Sequence, residues 1–210
     1  MNDKKVAVVT AVGPGLGAAL ARRFAEGYAV AILARKPDFL RALAAELREG
    51  KATVLDLSCD VSDREQITRA FSAIRTELGD PEVLLYNAGS GKFGTIAEIK
   101  PKQFEADWRV NAFGAFVAAK EAAPDMIARG HGAMLFTGAT AGVKAGPRLH
   151  KSIKLTKSFS ACEISTLCAA QKRGRAVRSR QAAKEVFAAR RRCAAQARRL
   201  RGFDGRRGRR

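Results

Sequence analysis

The chain has four cysteines and only two histidines, and no C-x-x-C pair is among them. That spacing excludes the common zinc and dithiol signatures, so reduced thiols without a metal are expected. No apolar run approaches the ~18 residues that a membrane-spanning helix requires, and no membrane partner is expected. Residues 1–5 are polar and charged and lead directly into an apolar run, without the charged, apolar and cleavage regions of a secretory signal. A cytoplasmic protein is the expectation. Acidic residues are scarce in one region. After Pro147 there are three, Glu163, Glu185 and Asp204, against 20 of the 39 Lys and Arg. The last 63 residues therefore carry +17 of the net +19, and the first 147 carry +2. Nucleic-acid binding inferred from the overall charge would assign to the whole chain a property of its end.

In the first 147 residues, short apolar runs alternate with longer amphipathic segments, as in βαβ units. Runs 6–10, 29–34, 53–57, 83–86 and 133–137 read as strands. Their near-continuous hydrophobicity predicts a parallel sheet covered on both faces. Phe39, Leu40, Leu43 and Leu47 share one helical face, and Ile67, Ala70, Phe71, Ile74 and Leu78 share another. Ser62 and Glu65 have capping-box spacing at the start of the second of these helices. A long helix is expected over 103–128, bent or interrupted near Pro124. The predicted fold is α/β, a Rossmann-like doubly wound parallel sheet truncated after its fifth strand. Residues 1–147 form the dinucleotide-binding domain and 148–210 a basic tail without a recognisable fold.

The first strand runs into Thr10-Ala11-Val12-Gly13-Pro14-Gly15-Leu16-Gly17, followed by a helix-forming run. Glycines here permit a tight turn and let backbone amides approach a pyrophosphate at the positive helix N-terminus. Gly13, Gly15 and Ala18 satisfy G-x-G-x-x-G/A in the strand–turn–helix context that the motif needs. Twenty residues beyond Gly15, where an acid would take the ribose hydroxyls of NAD, the strand ends Leu33-Ala34-Arg35-Lys36. An acid would repel a 2′-phosphate and Arg35 can bind one through two parallel hydrogen bonds, so NADP is favoured over NAD.

These residues resemble the short-chain dehydrogenase/reductase family over residues 4 to about 147. Residues 10–17 are similar to its T-G-x-x-x-G-x-G cofactor loop, with Ala11 in place of the first glycine. Asp60-Val61 resembles the pair that contacts adenine. Tyr86-Asn87-Ala88-Gly89 is similar to N-N-A-G, and Asn111 falls at the Asn of the catalytic tetrad. The resemblance implies hydride transfer between NADP(H) and a small carbonyl or alcohol substrate. It also implies a tyrosine as acid/base, a lysine one helical turn later that lowers its pKa, and a serine that holds the substrate oxygen. Ala139 stands at the serine's place, with Thr140 beside it as the candidate substitute. Neither tyrosine, Tyr28 or Tyr86, follows the fifth strand. Family spacing puts the tyrosine position near Ser152 and the lysine position near Thr156, and Lys154 and Lys157 close by read as surface charge. The expectation is an impaired or inactive oxidoreductase. The alternative is a non-catalytic cofactor-binding or interaction protein with a polyanion-binding tail.

Only 11 of the last 63 residues are Leu, Ile, Val or Phe, below the fraction at which a strongly charged segment is expected to fold. Three origins fit: an out-of-frame translation of a GC-rich gene, a genuine altered tail on a cofactor-binding protein, or a segment contacting nucleic acid non-specifically through phosphates. A fifth strand without a sixth would present an open edge, so a homo-oligomer is also expected. Translation of the nucleotide sequence in its other two frames beyond residue 147 separates these origins. A frameshift requires an amphipathic helix with a lysine at the catalytic turn, then a β-rich segment. Stop codons or patternless sequence in both frames would exclude it.

Overall fold

Five apolar runs without period-two alternation pair side by side into one parallel sheet, because both of their faces are covered. The computed structural model describes residues 5–91 and 97–138. In chain order these hold β1 (Val6–Thr10), α1 (Leu16–Ala25), β2 (Ala29–Ala34), α2 (Pro37–Glu49), β3 (Val54–Ser58), α3 (Arg64–Glu77), β4 (Pro81–Tyr86), α4 (Pro101–Trp108), a π-helical turn (Arg109–Phe113), α5 (Gly114–Arg129) and β5 (Ala133–Phe136). The strand order is β3-β2-β1-β4-β5 and every pairing is parallel. Ala7 and Val9 of β1 pack with Leu20, Phe24, Leu40 and Leu43 from α1 and α2. Val6 and Val8 pack on the opposite side with Phe71, Ile74, Val117 and Met126 from α3 and α5. Phe24 and Phe71 are fully buried, each stabilising the fold by roughly 1.5–3 kcal/mol. No helix among the described residues is long and apolar enough to cross a membrane.

The expected strands stand within two residues of their predicted limits. β3 runs one residue later than expected at both ends, β4 begins at Pro81, and β5 ends at Phe136. Two helix expectations are corrected. Asp63, not Ser62, caps α3: its side chain accepts from the backbone N–H groups of Glu65 and Gln66 at 2.9 and 3.1 Å. The Ser62 hydroxyl is already committed, donating to Asp60 Oδ1 at 2.8 Å. The second correction concerns Pro124, which lies inside α5 and does not interrupt it. Proline withholds an N–H from the preceding turn. The N–H it withholds is the one that would serve the Lys120 carbonyl; Arg75 of α3 donates to the neighbouring Glu121 carbonyl and, at 2.9 Å, to the carboxylate of Asp125, tying this part of α5 to α3. The regular helix is broken upstream instead, at the π-turn around Asn111, the kind of local widening that marks functional sites.

Two backbone positions constrain the ends of β1 and the π-turn. Ala11 has φ 51°, in the left-handed region that costs a non-glycine residue about 1–2 kcal/mol. Ala11→Gly should therefore stabilise the protein by about 1 kcal/mol in chemical denaturation, net of the entropy that glycine adds to the unfolded chain. Gly114 has the opposite requirement. A Cβ there would lie 2.6 Å from the Tyr86 hydroxyl and closer still to the carbonyl oxygen of Val61. Gly114→Ala should cost about 1–3 kcal/mol, read as a lowered Tm. An unchanged Tm would show that α5 can withdraw from β3 and β4 without penalty.

Candidate active site

In a parallel doubly wound sheet, ligands bind beyond the carboxyl ends of the strands where the strand order reverses. Here the reversal falls between β1 and β4, and a cleft of about 800 Å³ opens there. Its walls are residues 11–14 after β1, 34–36 at the end of β2, 59–61 after β3 and 88–90 after β4, with Phe39 and Val110 closing the sides. Among the described residues no cluster of three or more His, Cys, Asp or Glu is placed to hold a metal ion.

The glycine loop occupies the β1 wall. A Cβ on Gly13 or Gly15 would meet nothing within 4 Å, so the space over both is open to a ligand. Gly17 differs: its Cβ would lie 2.8 Å from Val12 Cα, because α1 packs directly against the loop. Leu16 opens α1 behind Gly15, and no side chain caps that helix or places an acid in its first turn. Among the early N–H groups of α1, that of Ala18 donates to the Gly13 carbonyl at 2.9 Å and that of Ala19 to the Gly15 carbonyl at 3.2 Å; those of Leu16 and Gly17 precede the first intrahelical bond, and the helix dipole favours an anion at that end. α3, by contrast, is capped by Asp63.

On the β2 and β3 side, Arg35 is exposed on the cleft wall and makes no hydrogen bond or ion pair among the described residues. Asp60 is held by its neighbours: its N–H donates to Gln66 Oε1 and its Oδ1 accepts from the Ser62 N–H, both at 2.9 Å. Val61 is buried beside it. Cys59 also borders the cleft, and burial, reinforced by the Asp60 and Asp63 charges, pushes its thiol up to about 11. It is therefore a poor nucleophile at neutral pH.

On the β4 side, three side chains converge on residues 87–90. Thr10, 1% exposed, accepts from the Asn87 N–H at 3.1 Å. Asn111, 2% exposed, accepts from the Ser90 N–H at 2.9 Å and donates to the Ser90 carbonyl at 2.7 Å. Asp107, also 2% exposed, accepts from the Ser90 hydroxyl at 2.7 Å and from Gln103 Nε2 at 3.1 Å. Asn87 Oδ1 in turn accepts from the Thr137 hydroxyl at 3.1 Å. Gly13, Arg35, Asp60, Val61, Ala88 and Gly89 thus line one cleft. Thr10, Asn87 and Asn111 stand behind it, and Leu16 and Gly17 begin the helix at its edge.

Ser90 and Asp107 were not among the residues that the sequence singled out. Their signal lies in Gln103, Asp107 and Asn111, polar residues at i, i+4 and i+8 that share a helical face. Thr140, Ala139, Ser152 and Thr156 lie outside the described residues, as do Cys162, Cys168 and Cys193. The described tyrosine nearest the cleft is Tyr86. Its hydroxyl donates to the Val110 carbonyl at 2.5 Å, and burial above all holds its pKa far above the ordinary phenol value. A general acid/base is effective with a pKa near the working pH, so this phenol is a structural tie.

Residues 5–151 match the family described as short chain dehydrogenase. D-threitol dehydrogenase of Mycolicibacterium smegmatis is 28% identical over 84% of this chain and 67% of that protein. Among solved structures, an actinorhodin polyketide ketoreductase variant with NADPH has a TM-score of 0.71 and 28% identity, over 76% of this chain and 62% of that one. An alcohol dehydrogenase from the archaeon Thermococcus sibiricus, complexed with 5-hydroxy-NADP, has a TM-score of 0.70 and 31% identity, over 74% and 66%. Across the curated relatives the matched segment spans between 12% and 67% of their own length. With the five-stranded parallel sheet, the glycine loop at its reversal point and the family match over most of its length, the chain belongs to the short-chain dehydrogenase family of oxidoreductases.

Proposed function

We propose that the cleft binds NADP(H) and that the chain is an NADP-dependent carbonyl or alcohol oxidoreductase impaired in its proton-transfer step. One observation carries the cofactor reading: Arg35 stands on the cleft wall, without a partner among the described residues, across a glycine loop that leads into an uncapped helix. The cleft is of ligand-binding size, and the open space at Gly13 and Gly15 lets backbone amides approach a pyrophosphate. Two of the similar solved structures hold NADPH or 5-hydroxy-NADP.

When bound, the cofactor would supply the hydride. Arg35 would hold the 2′-phosphate, residues 13–17 the pyrophosphate, Asp60 and Val61 the adenine side, and residues 87–90 the opposite half. Asn111 would fix that last segment from behind. The impairment follows from residue chemistry at the family's acid/base positions. Ala139, Ser152 and Thr156 cannot replace serine, tyrosine and lysine in those roles, and Tyr86 is committed to Val110.

Calorimetry should find NADP(H) bound more tightly than NAD(H) by roughly 1–3 kcal/mol, the size of a charge-assisted hydrogen bond. Arg35→Asp should abolish or reverse that preference, and carbonyl reduction by the bound NADPH should be negligible. Equal affinity for the two cofactors would remove the assignment of Arg35. Turnover at ordinary enzymatic rates would show that Thr140, Ser152 or a tail lysine has taken over the proton-transfer role.

A further inference from the structure

The contact of Asp107 with Ser90 is explained neither by the fold nor by the cofactor reading. A carboxylate buried on a helix is costly to desolvate unless paired. None of the ion pairs among the described residues involves Asp107, whose partners there are two neutral donors, the Ser90 hydroxyl and Gln103 Nε2. The remaining polar groups of Ser90 are also taken. Its N–H and carbonyl are both held by Asn111, one turn further along, so Asp107 and Asn111 grip one residue at three points. Ser90 itself lines the cleft, on the β4 side of the reversal point, whereas Arg35 lines it on the β2 side.

We propose that Asp107 is a positioning residue that holds the Ser90 segment in place for the nicotinamide half of the cofactor, leaving the adenosine half to Arg35 and Asp60. This inference rests on the NADP(H) reading and adds a division of labour across the cleft. Without the carboxylate, the Ser90 hydroxyl loses its acceptor and Asn111 alone holds the backbone. The segment then samples positions that no longer meet the ligand, while the glycine loop and the end of β2 are unaffected.

The test uses the full chain and two probes, NADPH and adenosine 2′,5′-bisphosphate, which carries the 2′-phosphate but no nicotinamide half. Asp107→Leu and Ser90→Ala should each weaken NADPH binding about tenfold, the equivalent of one lost hydrogen bond. Affinity for adenosine 2′,5′-bisphosphate should stay within about twofold of the unmodified chain. Asp107→Asn, which keeps an oxygen acceptor for the Ser90 hydroxyl, should restore most of the NADPH affinity. Equal losses for both probes would reduce Asp107 to a stability role and overturn the inference, as would no loss for either. Failure of the unmodified chain to bind adenosine 2′,5′-bisphosphate would instead refute the NADP(H) reading. Hydrogen exchange decides the positioning claim without any cofactor. The Ser90 amide should exchange about tenfold faster in Asp107→Leu while the amides of β1 and β2 are unchanged, and an unchanged Ser90 rate would contradict it.

Discussion

Thr10, Asp107 and Asn111 are the buried polar side chains among the described residues, and each hydrogen-bonds to the segment 87–90. Breaking a hydrogen bond to a buried polar group costs about 1–3 kcal/mol, and displacing this segment would take such a bond from all three side chains at once. The segment is therefore fixed by the same burial that fixes the core. β1 supplies Thr10, α4 supplies Asp107 and the π-turn supplies Asn111, so the helices and strands can dock correctly only if the cleft wall is formed. Tyr86 adds to this from the strand side: its hydroxyl reaches the carbonyl next to Asn111, in space that Gly114 leaves empty.

Charge is distributed differently at the two ends of the sheet. At the end away from the cleft, Glu82 gathers Lys5 at 3.1 Å, His131 at 3.8 Å and Arg129 at 4.0 Å. On the helices Arg22 meets Glu46 at 2.6 Å and Arg75 meets Asp125 at 2.9 Å. These are partly exposed pairs, each worth at most about 1 kcal/mol. At the cleft end the pattern changes. Arg35 has no described partner and no side chain caps α1, which favours an anion on that side of the cleft, while Asp60 lines another wall.

The sheet was legible because burial on both faces leaves an unambiguous trace. Val6, Val8 and Ala7, Val9 alternate between two cores and yet are all apolar, which no half-exposed strand would be. The cleft lining was legible for a local reason: residues 11–14 and Arg35 follow β1 and β2 directly, so strand-end spacing alone places them on one cleft. The misreadings arose where one residue's role depends on a partner that a spacing rule does not include. Ser62 looked like a cap because Asp60, which takes its hydroxyl, cannot be seen in a spacing rule. Pro124 looked like a break because a spacing rule does not show that Arg75, 49 positions earlier, ties the flanking Glu121 and Asp125 to α3. Asp107 was missed because helical periodicity shows which face a residue is on, and only the fold shows that Ser90 is opposite.

In the proposed binding mode one cleft holds the two halves of NADP(H) on opposite sides of the sheet's reversal point. A crystal structure of the full chain grown with NADPH tests it directly. The expected result places the 2′-phosphate within hydrogen-bonding distance of Arg35, the pyrophosphate over residues 13–17 and the nicotinamide ribose along residues 87–90. A cofactor bound in the reverse sense, bound elsewhere, or absent from the cleft at saturating concentration would rule out this binding mode.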